Sequence, residues 1–476
     1  MTLMSFLAEL KKCPLIASAQ ASPGSAMESP EILDKVAQAS LDQGVKVLRL
    51  QGIETIQTVR RWFSGPIVGL VKKSHPASEV YITPTLAEVE ALLAAGCQVI
   101  ALDATSRPRP GGVSLDSLVE AIHAAGALAW ADCDSIESLN HAKASGCDVY
   151  STTLAGYTGA RSSTVGPDMA LLAEFVNDSP GPVFAEGRIS QPWQMAAALR
   201  LGAAGVVVGG SLNDPVKQTQ WFIKGLPQTD LAGAVDLGGT WLRFALAGPD
   251  LKLKEIRRTP QPQTRQERLD WISAQIADTG VTRLGVSAGG TIDPVTGEVW
   301  EAKDFIPEYL GTRFSFPGVE VRALNDGLAA AWGHFCRPET YASKVASLAL
   351  GTGVGAGYVI EGQILMGHRG SYPRWNDLPL PSGKTVEDVL GGLSLTREPS
   401  EEQKDEAEKA ARLVIISMDK IWMPEKIVIT GGVGLSPWLR KRLTDHPPEI
   451  LSEIVFGPEE AGLEGAAALA IHPQRS

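Results

Sequence analysis

Short apolar runs recur through the first half of the chain, each followed by a stretch whose apolar residues fall at helical spacing. The runs are Leu15 to Gln20, Val47 to Gln51, Ile67 to Lys72, Val99 to Thr105, Leu128 to Asp132, Val149 to Leu154, Val183 to Arg188 and Gly205 to Ser211. Between them lie segments such as T-L-A-E-V-E-A-L-L-A-A-G and S-L-D-S-L-V-E-A-I-H-A-A-G, with glycine where a C-cap belongs. Near-continuous apolar strands alternating with helices predict a parallel sheet covered by helices, because such strands are buried on both faces. Eight such pairs suit a (β/α)8 TIM barrel.

In that fold the chemistry sits at the C-terminal ends of the strands. Those ends are Gln20, Arg49, Lys72, Asp103, Asp132, Thr153, Glu186-Gly187-Arg188 and Gly209-Gly210-Ser211. Nearly all are polar on strands that are otherwise apolar. A single polar strand end is an ordinary start of a solvated loop. Eight converging on one mouth predict a site. The glycine turns after strands seven and eight stand where such barrels bind phosphate, so the expected ligand is a small phosphorylated metabolite.

The pattern changes after a connector at Gly225 to Asp230. This places a domain boundary between residues 1–227 and 228–476. A-V-D-L-G-G-T-W-L-R-F-A-L, from Ala234, runs strand, glycine turn, strand, a form in which backbone N–H groups and a hydroxyl face a phosphate. It is followed in order by L-G-V-S-A-G-G from Leu284, V-R-A-L-N-D-G from Val321, L-A-L-G-T-G-V-G-A-G-Y-V from Leu348 and K-I-V-I-T-G-G-V-G from Lys426. Any one of these is an ordinary turn. The ordered set predicts a second, nucleotide-binding domain.

Composition narrows the partners. Of 476 residues, 44% are hydrophobic and 20% charged, the balance of a globular protein with more than one core. A net charge of -11 opposes nucleic acid and anionic membranes as partners. The five cysteines are scattered, never in C-x-x-C spacing, and read as reduced thiols of a cytoplasmic protein. The seven histidines are dispersed and give no metal-ligand spacing. No window approaches a membrane span. A homo-oligomer is left open.

V-G-L-V-K-K-S-H-P-A-S-E-V-Y-I-T-P-T, A-L-D-A-T-S-R-P-R-P, T-T-L-A-G-Y-T and A-E-G-R-I together resemble the motifs of the N-acetylmannosamine-6-phosphate 2-epimerases. The resemblance implies inversion at C2 of an amino-sugar phosphate with no cofactor. It makes Lys72 the proton-transferring lysine and Glu186 its acidic partner. Gln20, Arg49, Asp132 and Arg188 match substrate-contacting positions, and Thr153, Gly187, Gly209 and Gly210 complete the expected substrate site. A lysine whose pKa is lowered by burial and a nearby arginine suits removal of a carbon-bound proton.

The glycine clusters of the second half, ending in L-E-G-A-A-A-L-A, are similar to the sugar kinases of the repressor, open-reading-frame and kinase family. That resemblance implies the two-lobed, actin-like (ribonuclease H-like) ATPase fold, with ATP and Mg²⁺. It implies that Asp236, Gly238, Gly239, Thr240, Gly351, Thr352 and Gly353 cradle phosphates, and that Gly431 and Gly432 lie against the adenosine. Asp326 becomes the base that takes a proton from the sugar hydroxyl, and Asn325 and Glu387 hold the sugar. Two departures are visible. No cysteine follows Cys336, so structural zinc is not expected, and the family's Glu-x-Gly-His sugar motif is replaced by Arg374-Trp375-Asn376-Asp377.

The combined expectation is a bifunctional amino-sugar enzyme of sialic-acid catabolism, a kinase making N-acetylmannosamine 6-phosphate and an epimerase converting it to N-acetylglucosamine 6-phosphate. Two rivals stand beside it: an active epimerase with a non-catalytic, sugar- or ATP-sensing C-terminal domain, and a kinase of another hexose. A repressor is disfavoured, because a barrel occupies the place of that family's helix-turn-helix domain.

Overall fold

The computed structural model describes residues 1–302, 307–395, 398–472 and 474. It divides into two compact units, Met1–Ile223 and Lys224–Ser476. Among the described residues no helix is long and apolar enough to cross a membrane.

The first unit is a closed barrel of eight parallel strands, β1 (Leu15–Ala19), β2 (Val47–Gln51), β3 (Ile67–Leu70), β4 (Val99–Asp103), β5 (Leu128–Asp132), β6 (Val149–Ser151), β7 (Val183–Glu186) and β8 (Gly205–Val208). β1 closes the ring by pairing with both β2 and β8. Several strands end earlier than the apolar runs suggested. Gln20, Lys72, Thr153, Arg188 and Gly209 lie in the loops just past the ladders. After β3 the reason is local: the backbone bonds to a loop segment and leaves the neighbouring strand. Lys73 N–H donates to the Tyr81 carbonyl (2.8 Å) and Thr83 N–H to the Val71 carbonyl (2.7 Å), so the chain after β3 doubles back and holds Lys72 against Ile82.

Inside the barrel a cluster of Ile16, Val47, Val68, Val99, Trp130 and Phe184 is closed by an N-terminal helix, Leu3–Lys12, that the strand pattern did not reveal. Its Phe6 meets Trp130 edge-on at 6.4 Å and lies 6.3 Å from Phe184. Thr2 caps the helix by accepting from the Ser5 amide.

The second unit repeats one topology. β9 (Ala232–Leu237), β10 (Trp241–Ala247), β11 (Leu253–Pro260), β12 (Arg283–Ala288) and, after a small hairpin of β13 (Thr291–Ile292) with β14 (Val299–Glu301), β15 (Glu320–Asn325) form a sheet of order β11-β10-β9-β12-β15. The second sheet, β16 (Lys344–Leu350), β17 (Val354–Ile360), β18 (Gln363–Ile364), β19 (Lys426–Thr430) and β20 (Glu453–Phe456), follows the same order, β18-β17-β16-β19-β20. Helix Ala461–Ile471 packs on the first sheet, helix Asp326–Cys336 on the second, and the two helices pack on each other. Small residues make that approach possible. A methyl group added at Gly465 would lie 2.5 Å from the Ala329 carbonyl oxygen. The result is the two-lobed, actin-like architecture.

Candidate active sites

At the barrel mouth the strand ends bring one interlocked polar cluster together. Arg49 is fully buried at the middle of β2. Its Nη2 donates to Asp132 Oδ2 at 2.6 Å, and its Nε lies 3.3 Å from Glu186 Oε1. Thr153 Oγ1 donates to Asp132 Oδ1 (2.8 Å) and to Glu186 Oε2 (3.0 Å), and Ser151 Oγ lies 3.1 Å from Asp132 Oδ1. The Trp130 indole donates to Ser151 at 3.0 Å and carries Arg49 over its ring at 5.7 Å. Two carboxylates are thus held around one guanidinium, with Arg49 and Asp132 fully buried and Glu186 keeping a small exposed edge.

The electrostatics follow from that arrangement. Burial drives the Glu186 carboxyl up to about 7, with Arg49 opposing the rise and Asp132 reinforcing it. Lys72 keeps an exposed surface in the mouth, yet protein atoms crowd it. That crowding, followed by the charge of Arg49, lowers its pKa, while Glu186 pulls the other way. Arg49 stays charged because Asp132 and Glu186 together outweigh its burial. Tyr81, beside the doubled-back segment, is raised by burial and then by Asp132 and Asp103.

The remaining predicted residues take different places. Gln20 turns to Ser18, with Nε2 2.8 Å from Ser18 Oγ. Gly187 holds φ at +107°, and Arg188 holds the left-handed value of +54°. The Arg188 guanidinium is committed to the loop after β6, donating to Ala155 O (2.7 Å), Gly166 O (2.9 Å) and Thr164 Oγ1 (3.1 Å) and lying over Tyr157. Gly209 and Gly210 open the short helix Gly210–Asn213 beside β1. The structure adds Ser151 and Tyr81 to the mouth, with Trp130 beneath it in the barrel interior and Lys217 beside the turn after β8.

In the second unit one cleft collects most of the predicted nucleotide-binding set. Asp236, Gly238, Gly239, Gly351, Thr352 and Gly353 line it together with Gly431, Asp326 and Glu387. Thr240 Oγ1 approaches Thr352 Oγ1 at 3.4 Å, joining the two glycine turns. Gly432 follows at the start of helix Gly431–Gly434, with open space where a side chain would stand. A methyl group at Gly353 would lie 2.3 Å from Glu387 Oε1, and one at Gly431, which holds φ at +83°, would lie 2.4 Å from the Leu350 carbonyl oxygen. At Gly431 only bare backbone fits, and at Gly353 a side chain would have to displace the Glu387 carboxylate. Such turns leave N–H groups free to face phosphate oxygens, so the residues present suit a nucleotide.

Asp326 is the first residue of helix Asp326–Cys336, and its Oδ1 accepts from the Gly327 amide at 2.8 Å. Asn325, just before it, is buried as the helix cap: it donates to Gly290 O (3.0 Å) and accepts from the Gly327 and Leu328 amides. Glu387 accepts from Asn376 Nδ2 at 3.0 Å and from the Val354 amide at 3.4 Å. Arg374, in the altered sugar motif, pairs with Glu301 of the other lobe. Arg243 was not anticipated. It donates to Asp236 Oδ2 from Nε (3.0 Å) and Nη2 (2.5 Å), pairs with Glu460, and is the one Lys or Arg among the described residues lining the cleft. Hairpin register held the signal, since Arg243 stands directly opposite Asp236.

Fold and sites together define a barrel isomerase joined to a sugar kinase. A family model described as "Putative N-acetylmannosamine-6-phosphate epimerase" (NanE) matches residues 33–228, and the ROK family model matches residues 232–382. The bifunctional enzyme NanE/NanK of Brucella melitensis is 30% identical over 96% of this chain and 96% of its own length. The chain belongs to this bifunctional NanE/NanK family, with an N-terminal epimerase domain and a C-terminal ROK kinase domain, a family that uses ATP. A solved N-acetylmannosamine-6-phosphate 2-epimerase from Clostridium perfringens is 38% identical, covering 47% of this chain and 96% of that one, with a TM-score of 0.45.

Proposed function

We propose that the C-terminal domain phosphorylates N-acetylmannosamine with ATP and that the N-terminal domain inverts the product at C2, giving N-acetylglucosamine 6-phosphate. The observation that carries the reading is the pair of opposite pKa shifts in one mouth, Lys72 down and Glu186 up to about 7. Carbon deprotonation requires an amine that is neutral near pH 7, and opening the sugar ring or protonating an enolate oxygen requires an acid still protonated there. In this reading Lys72 takes the C2 proton of the open-chain aldehyde and returns a proton to the other face. Glu186, held by Arg49 and Thr153, moves protons on oxygen. The epimerase step uses no cofactor.

For the kinase step, Asp326 accepts the proton of the sugar hydroxyl, and Glu387, Asn376 and Asn325 supply and fix hydrogen-bonding groups around it. Nucleotide would be held by the Gly238–Thr240 and Gly351–Gly353 turns, with Asp236 lining the same cleft and Mg²⁺ arriving with the phosphates. When bound, MgATP supplies the phosphoryl group and the charge neutralisation its transfer demands. Structural zinc has no part in the scheme. We also assign the protein to the cytoplasm, since its cysteines are free thiols and Cys97, Cys133 and Cys147 are buried.

One observation favours a second reading for the kinase half. The Arg374–Glu301 pair occupies the altered sugar motif, which changes the groups presented to a sugar. ATP consumption by the full chain with a panel of amino sugars and hexoses, followed by NMR of the sugar products, separates the readings. N-acetylmannosamine as the preferred acceptor, with the product epimerised at C2, supports the proposal. Preference for another hexose selects the second reading, and absence of any phosphorylation refutes the kinase assignment.

A further inference from the structure

The epimerase reading requires a phosphate-bearing substrate, and a phosphate monoester brings roughly -1.5 to -2 charges into the mouth. The guanidiniums nearby are already committed. Arg49 serves Asp132 and Glu186, Arg107 binds Asp103 at 2.6 Å, and Arg188 is spent on the loop after β6. Lys72 must be neutral to act as a base. Lys217 differs from all of these. Its side chain is 62% exposed and it pairs, among the described residues, with Asp214 alone, at 3.4 Å.

The setting of Lys217 is built. Asp214 is buried, and its carboxylate is fixed by the Ser22 hydroxyl (3.0 Å) and by the amides of Val216 (3.1 Å) and Lys217 (3.2 Å), at the start of helix Pro215–Lys224. From that pivot the lysine stem crosses Gly210. A methyl group added there would lie 2.9 Å from Lys217 Cδ and 3.5 Å from Nζ. Glycine at position 210 is what lets the amine lie along the turn after β8. The amine lies along the turn at the C-terminal end of β8, the end of the barrel that carries the mouth, and it is also among the charges that depress Lys72. β8 and β3 are separated in the ring by β1 and β2, which sets the two amines on different sides of it.

We propose that Lys217 binds the phosphate group of the barrel's substrate and makes the epimerase selective for phosphorylated over free sugars. This rests on the epimerase reading above. Lys217 is a binding residue here and takes no part in moving the C2 proton.

The test uses the full chain, with epimerisation of N-acetylmannosamine 6-phosphate and direct binding of inorganic phosphate by ³¹P NMR. Lys217→Ala is expected to raise KM about 10- to 100-fold, the range for a lost charge-assisted hydrogen bond, with kcat within about twofold. Lys217→Glu raises it further, Lys217→Arg restores most of the affinity, and phosphate binding weakens in parallel. Gly210→Ala, which crowds the stem but keeps the charge, gives a smaller rise. Unchanged KM and phosphate binding in Lys217→Ala and Lys217→Glu overturn the inference, as does a loss confined to kcat. If the wild type epimerises nothing but binds phosphate through Lys217, the substrate reading falls and the phosphate site stands. If wild type and Lys217→Glu bind phosphate alike, the site itself falls.

Discussion

The barrel mouth and the kinase cleft are built for charged ligands from different materials. The mouth works through side chains taken out of water: Arg49 and Asp132 are almost wholly buried, and burial moves Glu186 and Lys72 toward the pH at which they exchange protons. The cleft works through backbone. Its glycine turns are spaces where a single added carbon would strike Glu387 or the Leu350 carbonyl, and its acids outnumber its one arginine. The difference teaches where each half is vulnerable. In the proposed reactions, chemistry in the mouth depends on an interlocked charge set, whereas chemistry in the cleft depends on shape plus one carboxylate.

The sharpest break between the two is catalytic. Lys72→Ala should lower epimerisation and solvent-deuterium exchange at C2 by about 10²–10⁴-fold or more, the scale of general-base help, while leaving ATP consumption intact. Asp326→Asn should do the converse, reducing phosphoryl transfer about 10²–10⁴-fold with nucleotide affinity and epimerisation retained. Rates of both reactions on the same purified variants check the pair. An epimerase defect in Asp326→Asn would mean the two sites are not independent.

A smaller effect separates the two arginines. Arg49→Met leaves Asp132 and Glu186 buried without their cation and should cost about 3–5 kcal/mol, because an uncompensated charge is stranded out of water. Arg243→Met should cost less, about 1–2 kcal/mol, since Arg243 is 25% exposed and its partner Glu460 opens to solvent at 34%. Urea unfolding with hydrogen exchange resolved to β2 and β10 measures both losses. Equal losses would erase the distinction between a buried and an open charge cluster.

What could be read in advance divides along similar lines. The eight strands were legible because each is apolar on both faces, and Asp132 and Glu186 were legible because a polar residue ending such a strand has only the mouth to face. The five glycine clusters gave the cleft, since at positions such as Gly327 and Gly431 a side chain would strike neighbouring backbone. The helix Leu3–Lys12 escaped because its two buried residues, Phe6 and Leu10, are too few to set a pattern beside eight strands. Lys217 and Arg243 escaped for a different reason. Each lies within an ordinary amphipathic element, and only the turn of a helix or the register of a hairpin aims it at a site.

The pH dependence of stability tests whether burial does shift the mouth. In the folded chain Glu186 titrates near 7, against 4.5 for the ordinary group, so between those values the native state holds a proton that the unfolded chain has released. Stability therefore falls with rising pH across that window: the contribution is complete below about 4.5 and lost as pH passes through about 7. Glu186→Gln cannot release that proton. Relative to wild type, its stability should rise from pH 4.5 to 7 and then level off, with a total change of about 1–3 kcal/mol after allowing for Arg49 and Lys72 nearby. Thermal unfolding of both proteins across pH 4.5–8, followed through the barrel, measures the difference. A flat difference would show that Glu186 stays ionised throughout. Arg49 would then outweigh desolvation, and the mouth would have to find its acid elsewhere, with Tyr81 a group that burial keeps protonated.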